Sequence, residues 1–160
     1  REFINKKFLD NFFFSFWGGY NRIIPQGGMS LSGGPEIGVA ASKFFSPKNG
    51  VRLYGNWQSA NRQSDNEKWA NYTLGIDHVF NLSTALAGYN PYRMLELSTV
   101  EGLGVHLASL AGEKQKAIDF HLGLQMKVST GTRLDVFVEP GISITLILSF
   151  YCFALICADN

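Results

Sequence analysis

The sequence predicts an all-β protein, an antiparallel up-and-down transmembrane β-barrel in which seven strands are clear and an atypical last one is expected to make eight. Three observations predict it. First, apolar and polar residues alternate over long runs, most clearly between Ala117 and Ile144. Ile118, Phe120, Leu122, Leu124, Met126 and Val128 fall on one face there; Asp119, His121, Gly123, Gln125, Lys127 and Ser129 fall on the other. Side chains alternate across a strand, whereas a helical period would scatter both sets around the axis. Second, each arm of this hairpin runs about a dozen residues, beyond the usual strand of roughly 5–6. A tilted strand needs about 9–11 residues to cross a bilayer. Third, charged residues make up only 17% of the 160, below the roughly 25% of soluble domains. Aromatics reach 14%, with 13 Phe, and Gly numbers 17. Few charges with many Gly and aromatics suit a barrel that turns its apolar side outward.

The elements follow in order. Residues 8–21 give the first strand, with Phe12, Phe14, Phe16 and Tyr20 on one face and Asn11, Ser15, Gly19 and Asn21 on the other. Residues 22–34 read as a Gly-rich loop. The second strand, about Glu36 to Phe45, sets Ile37, Val39, Ala41 and Phe45 against Glu36, Gly38, Ala40 and Ser42. Lys43 breaks the apolar face, where its stem can lie on lipid while its ammonium reaches the headgroups. Ser46-Pro47-Lys48-Asn49-Gly50 is a tight turn, because Pro presets φ and Asn-Gly tolerates positive φ. The third strand, Val51 to Ala60, sets Val51, Leu53 and Trp57 against Arg52, Tyr54, Asn56 and Gln58. Asn61 to Lys68 is a polar loop. The fourth strand, Trp69 to Leu82, sets Tyr72, Leu74, Ile76, Phe80 and Leu82 against Asn71, Thr73, Gly75, Asp77 and Asn81.

A longer connection, Ser83 to Tyr92, leads to the fifth strand, Arg93 to Ala108. That strand sets Leu95, Leu97, Leu103, Val105 and Leu107 against Glu96, Ser98, Gly102, Gly104 and His106. Glu101 lies on its apolar face, and a bulge would shift it inward. Ser109 to Lys116 reads as a further polar loop. The turn Ser129-Thr130-Gly131-Thr132 then joins the two arms of the opening hairpin. The second arm sets Leu134, Val136, Val138, Ile142 and Ile144 against Arg133, Asp135, Glu139, Gly141 and Ser143. The barrel is thus expected over 1–144. Residues 145–160 form an apolar tail that does not alternate. It reads as a closing strand, an interfacial segment or an aberrant end. Starting at Arg1, the chain reads as a mature product or a fragment.

Alternation alone leaves two barrels open, a lipocalin-like soluble carrier with its apolar face inward and a membrane barrel with that face outward. The polar face favours the second. It is rich in Gly and Ala, which suits a narrow interior. Its charges mix signs and can pair inside: Glu36, Arg52, Asp77, Glu96, Asp119, Lys127, Arg133, Asp135 and Glu139. With His106 and His121 they form the expected polar network of the lumen. Aromatics also gather near strand ends, at Phe44, Phe45, Trp57, Trp69, Phe80, Tyr89 and Tyr92, as in interfacial girdles.

Three stretches carry a resemblance: GPEIGVAASKFFSPKNGVRL, DHVFNLSTALAGYNP and STVEGLGVHL. Together they resemble outer-membrane β-barrel proteins of the Bacteroidetes type, in the OmpA-like barrel group, over about residues 8–144. The resemblance implies an eight-stranded barrel in the bacterial outer membrane, with outer-membrane lipid as its partner. Some family members also carry a periplasmic domain that binds peptidoglycan, which would make peptidoglycan a further partner; no part of these 160 residues matches one.

Little points to catalysis. Ser98, Glu96, His106 and His121 share the polar face, so an outer-membrane lipid-modifying hydrolase is the alternative in the enzyme class. Nucleophilic catalysis needs the base within hydrogen-bond reach of the nucleophile. Three dispersed His, with His78 on the apolar face and expected at the interface, do not supply the three or four convergent ligands of zinc. The paired glycines match no phosphate-binding pattern, so no cofactor is expected. Cys152 and Cys157 lie in the tail, so no disulfide framework holds the body. A net charge of +1 without a basic stripe gives no reason to expect nucleic acid. Connection lengths set the topology, since outer-membrane barrels have short periplasmic turns and longer external loops. The turns after the second and sixth strands are then periplasmic, with Ser83–Tyr92 on the same side by parity.

Overall fold

Alternation with two-residue period becomes a single antiparallel sheet. The structure, a computed structural model, describes residues 10–21, 33–61, 68–110, 113–130 and 135–147. Its strands are Phe12–Asn21 (β1), Gly34–Phe44 (β2), Asn49–Asn61 (β3), Lys68–Asn81 (β4), Leu95–Leu110 (β5), Glu113–Ser129 (β6), Asp135–Val138 (β7) and Gly141–Ile147 (β8). A short helix, Leu82–Ala87 (α1), joins β4 to β5. From β1 to β7 each strand pairs with its sequence neighbours, in the order β1-β2-β3-β4-β5-β6-β7, and β8 pairs with β6. β7 lies on Met126–Ser129 and β8 on Ala117–Gly123, so the two are one strand position broken at Glu139-Pro140. Pro140 has no N–H for the ladder, which confines it to such a break. Its carbonyl still accepts from Leu124 N at 2.9 Å.

The sheet is rolled into a half-barrel. Arg52 on β3 bonds to Glu139 between β7 and β8, and Lys127 on β6 lies 5.9 Å from the ring centre of Phe13 on β1. Among the described residues, the outer edges of β1 and of β7–β8 carry no partner strand. Seven positions of an up-and-down sheet leave those two edges running in the same direction. Antiparallel closure therefore requires one more strand, the eighth.

The two faces have inverted polarity. Ser42, Arg52, Asp77, Gly102, His121 and Ser143 form one continuous cross-strand row, and Ala41, Leu53, Ile76, Leu103, Phe120 and Ile144 form the next. The first row lines the concave face and the second covers the convex one. Arg52, Gln58, Asn71, Thr73, Asp77 and Asp119 are buried, whereas Phe14 is 83% exposed, Leu74 64% and Ile144 64%. Small residues make room on the inside. A Cβ at Gly38 would enter the Trp17 indole, one at Gly75 the Tyr54 ring, and one at Gly102 the Asp77 carboxylate.

Four local expectations change. The polar stretch 109–116 is mostly ladder: Ser109 pairs with Lys114 and Leu107 with Lys116, because polar side chains suit an extended strand wherever its edge bonds are met. Ser83–Tyr92 holds a helix, capped by the Asn81 side chain accepting from Thr84 N at 2.8 Å and ended at Gly88, whose φ is 72°. β5 begins at Leu95, two residues after the expected Arg93. No bulge turns Glu101 inward. The register runs unbroken through His78–Glu101 and Glu101–Leu122. Glu101 stays outside because His78 Nδ1 lies 2.9 Å from its carboxylate, and His78 Nε2 lies 3.1 Å from Asn49 Oδ1. At the ends, β1 starts at Phe12 after Asn11, a non-Gly residue at φ 58°. The first strand's residues 8–9 lie outside the described residues. So do 148–160, while Thr145–Ile147 extend β8.

Candidate functional site on the concave face

The concave rows bring most of the expected polar residues together. Arg52 is the centre. Its Nε donates to Asp77 Oδ2 at 2.6 Å, and its Nη1 and Nη2 donate to Glu139 Oε2 and Oε1 at 2.7 and 2.8 Å. The guanidinium fork matches a carboxylate in this bidentate way. It ties β3 to its neighbour β4 and, across the hollow of the sheet, to the β7–β8 break. The register is the same on both sides of the break, so Glu139 keeps the inward parity of Asp135 and Phe137 and faces Arg52. Gln125 Nε2 donates a further bond to Glu139 Oε2 at 2.8 Å. The Arg52 guanidinium carbon also stands 5.9 Å from the ring centres of both Trp17 and Tyr54, within cation–π range.

His121 flanks this centre. Its Nδ1 lies 3.3 Å from Asp77 Oδ1, an ion-pair distance without hydrogen-bond geometry, and its ring meets Tyr54 edge-on. Asp77 is 1% exposed, so its carboxylate depends on the Arg52 guanidinium for compensation.

Two smaller clusters lie along the same face. Toward the end that carries the β2–β3 and β6–β7 turns, Lys127 Nζ contacts Glu96 at 2.7 Å and Asp135 at 3.9 Å, and Ser129 Oγ donates to Asp135 at 3.1 Å. Toward the opposite end, Glu36 accepts from Asn56 Nδ2 at 2.8 Å and from Trp17 Nε1 at 3.4 Å. Between this cluster and Arg52, His106 Nδ1 is 3.0 Å from Thr73 Oγ1, and its Nε2 is 3.6 Å from Asp119 Oδ1.

Of the residues expected in the network, Glu36, Arg52, Asp77, Glu96, His106, Asp119, His121, Lys127, Asp135 and Glu139 all lie on this face. Arg133 lies outside the described residues. Reading the sequence missed Trp17, Thr73 and Gln125 as partners. Parity marks each of them, since each sits two, four or six places from an assigned inward residue on its own strand.

Register sets Ser98 apart from both inward histidines, with His121 opposite Gly102, four places along β5 from Ser98. Ser98 stands opposite Asn81 and Gln125, while His106 stands opposite Thr73 and Ala117. Glu96 is engaged by Lys127. What does assemble is a hydroxyl–imidazole–carboxylate line, Thr73–His106–Asp119. Thr73 is 3% exposed, which keeps its hydroxyl from a bulky substrate. Among the described residues no group of three or more His, Cys, Asp or Glu is placed to hold a metal ion.

Searches of protein-family models, curated proteins and solved structures return no match to this chain.

Proposed function

We propose that this chain forms the wall of a bacterial outer-membrane β-barrel with a filled, non-conducting lumen and a structural or interaction role. The observation that carries the reading is the inverted polarity. An apolar convex face and a charged, hydrogen-bonded concave face suit a barrel bathed in lipid. A soluble carrier of an apolar ligand needs the opposite arrangement. Strand lengths agree: β3, β4, β5 and β6 run 13, 14, 16 and 17 residues, beyond the roughly 9–11 needed to span. The distribution of outer aromatics agrees as well. The exposed Tyr and Trp lie toward the ends, Tyr20, Trp57 and Tyr72 at one and Tyr89 and Tyr92 at the other, while Leu53, Ile76, Leu103, Ile144 and the phenylalanines Phe14, Phe16 and Phe120 lie between them. The likeness to Bacteroidetes-type barrels of the OmpA-like group points to the same compartment.

Arg52 is the reason to expect no conductance. An eight-stranded barrel is just wide enough for side chains to fill it. Here Arg52, Glu139, Asp77, His121, Tyr54 and Trp17 converge near the middle. The test is reconstitution into phosphatidylcholine vesicles and planar bilayers. The protein is expected to partition into detergent, to insert, and to pass no ion current. Recovery in the aqueous phase of a detergent partition would refute the membrane reading, and steady single-channel current would refute the filled lumen.

A further inference from the structure

The β4–β5 connection differs chemically from the one that precedes it. Residues 62–67 read RQSDNE, with three charges in six places. Residues 82–94 read LSTALAGYNPYRM and hold a single charged side chain, Arg93. That guanidinium folds back onto the end of α1, where its Nη2 donates to Gly88 O at 3.0 Å and Ala87 O at 3.4 Å.

The polar groups of α1 also turn inward. Thr84 is buried, and Ser83 Oγ accepts from Leu97 N at 2.8 Å, which pins the helix to β5. The large apolar groups are left outside: Leu86 is 86% exposed, Tyr92 87% and Met94 71%. This is the polarity of the barrel wall repeated in a connection. The two surfaces are continuous. Met94 O accepts from Ser129 N at 2.7 Å, and beside it Leu95, Met126 and Val128 are exposed on the convex face of β5 and β6.

We propose that the connection is a membrane-surface anchor, with Leu86, Tyr92 and Met94 seated in the headgroup–acyl boundary of the bilayer at the turn end of the barrel. The proposal rests on the membrane reading above. Lipid is the occupant that fits, because the exposed groups pair aliphatic side chains with tyrosines, whose rings favour the interface while their hydroxyls stay hydrated. It also explains why this connection is long on a side where short turns are the rule. A short turn could not lay a helical turn flat against the bilayer.

Site-directed spin labelling tests the anchor. Cysteines are introduced singly at Leu86, Tyr92, Ile76 and Lys48 in a Cys152→Ser/Cys157→Ser background. The protein is reconstituted in dioleoylphosphatidylcholine vesicles. Collision of each label with oxygen, which concentrates in lipid, is compared with collision with a water-soluble nickel chelate. Leu86 and Tyr92 are exposed, so labels there leave the packing intact. The Ile76 label, on the convex mid-wall, reports whether the barrel is inserted at all, and Lys48 reports the aqueous turn. Labels at Leu86 and Tyr92 are expected several-fold less accessible to nickel than Lys48 and at a depth shallower than Ile76. Nickel accessibility equal to that of Lys48, with Ile76 in lipid, would overturn the anchor and leave the barrel standing. Spin–spin broadening at Leu86 or Tyr92 would overturn it too, in favour of contact between copies. An aqueous Ile76 label would overturn the membrane reading and the anchor with it.

Discussion

Replacing Arg52 by Met leaves two carboxylates on the concave face without their cation, and the structure sets the scale of the damage. Arg52 is 6% exposed, and the Asp77 side chain it serves is fully buried. Breaking a buried pair by removing one partner costs about 3–5 kcal/mol, because the remaining charge is uncompensated. Gln125 still donates to Glu139, and His121 still stands beside Asp77, which limits the loss to that range rather than above it. The assay is equilibrium urea unfolding from phosphatidylcholine vesicles, followed by tryptophan fluorescence. With a slope of about 2 kcal/mol per molar urea, the midpoint falls by about 1.5–2.5 M. The diagnostic partner is the triple variant Arg52→Met/Asp77→Asn/Glu139→Gln, which removes the stranded charges and recovers most of the loss. The reasoning fails if Arg52→Met shifts the midpoint by under about 0.3 M, or if the triple variant is as unstable as the single one.

Two further outcomes follow from the faces of the sheet. Gly75→Val forces a branched side chain into the Tyr54 ring and is expected to cost about 1–3 kcal/mol, while Gly19→Ala, with no atom within 4 Å of its Cβ, leaves the urea midpoint unchanged. Leu74→Arg places a cation on the convex face at mid-strand and is expected to destabilise the vesicle-inserted protein by about 2–4 kcal/mol; a loss under about 0.5 kcal/mol would speak against lipid on that face.

The fold was legible because its signal is local. Parity along a single strand places Leu53 and Leu74 on one side and Arg52 and Thr73 on the other, and no partner strand is needed to read it. Misreadings arose where polarity and backbone state part company. Lys114 and Lys116 are polar yet strand, because beyond the apolar belt a ladder can be flanked by any side chain that extends. Polarity alone makes Leu82–Ala87 the end of a strand and a loop, although Asn81 three places before Thr84 is an N-cap signal. Glu101 calls for a bulge on parity alone because its compensating partner, His78, lies on another strand. The two face each other only in the β4–β5 register.

That last case shows why the site was legible in membership but not in wiring. Parity assigns a side chain to the concave face; it cannot say which other concave side chain it meets. Neighbouring pairs such as Arg52–Asp77 or Glu96–Lys127 follow once hairpin register is known, since they sit directly opposite each other. Arg52–Glu139 does not follow, because β3 and the β7–β8 break are separated by three intervening strands and meet only when the sheet rolls. The packing inside the roll needs small inward residues. Gly38, Gly75 and Gly102 let Trp17, Tyr54 and Asp77 lie across neighbouring strands, so that the hollow closes on Arg52 at hydrogen-bonding distance. The glycines visible in the composition and the charges visible in the alternation are thus complementary: the first leave room inside the hollow for Trp17, Tyr54 and Asp77, and the second fill it.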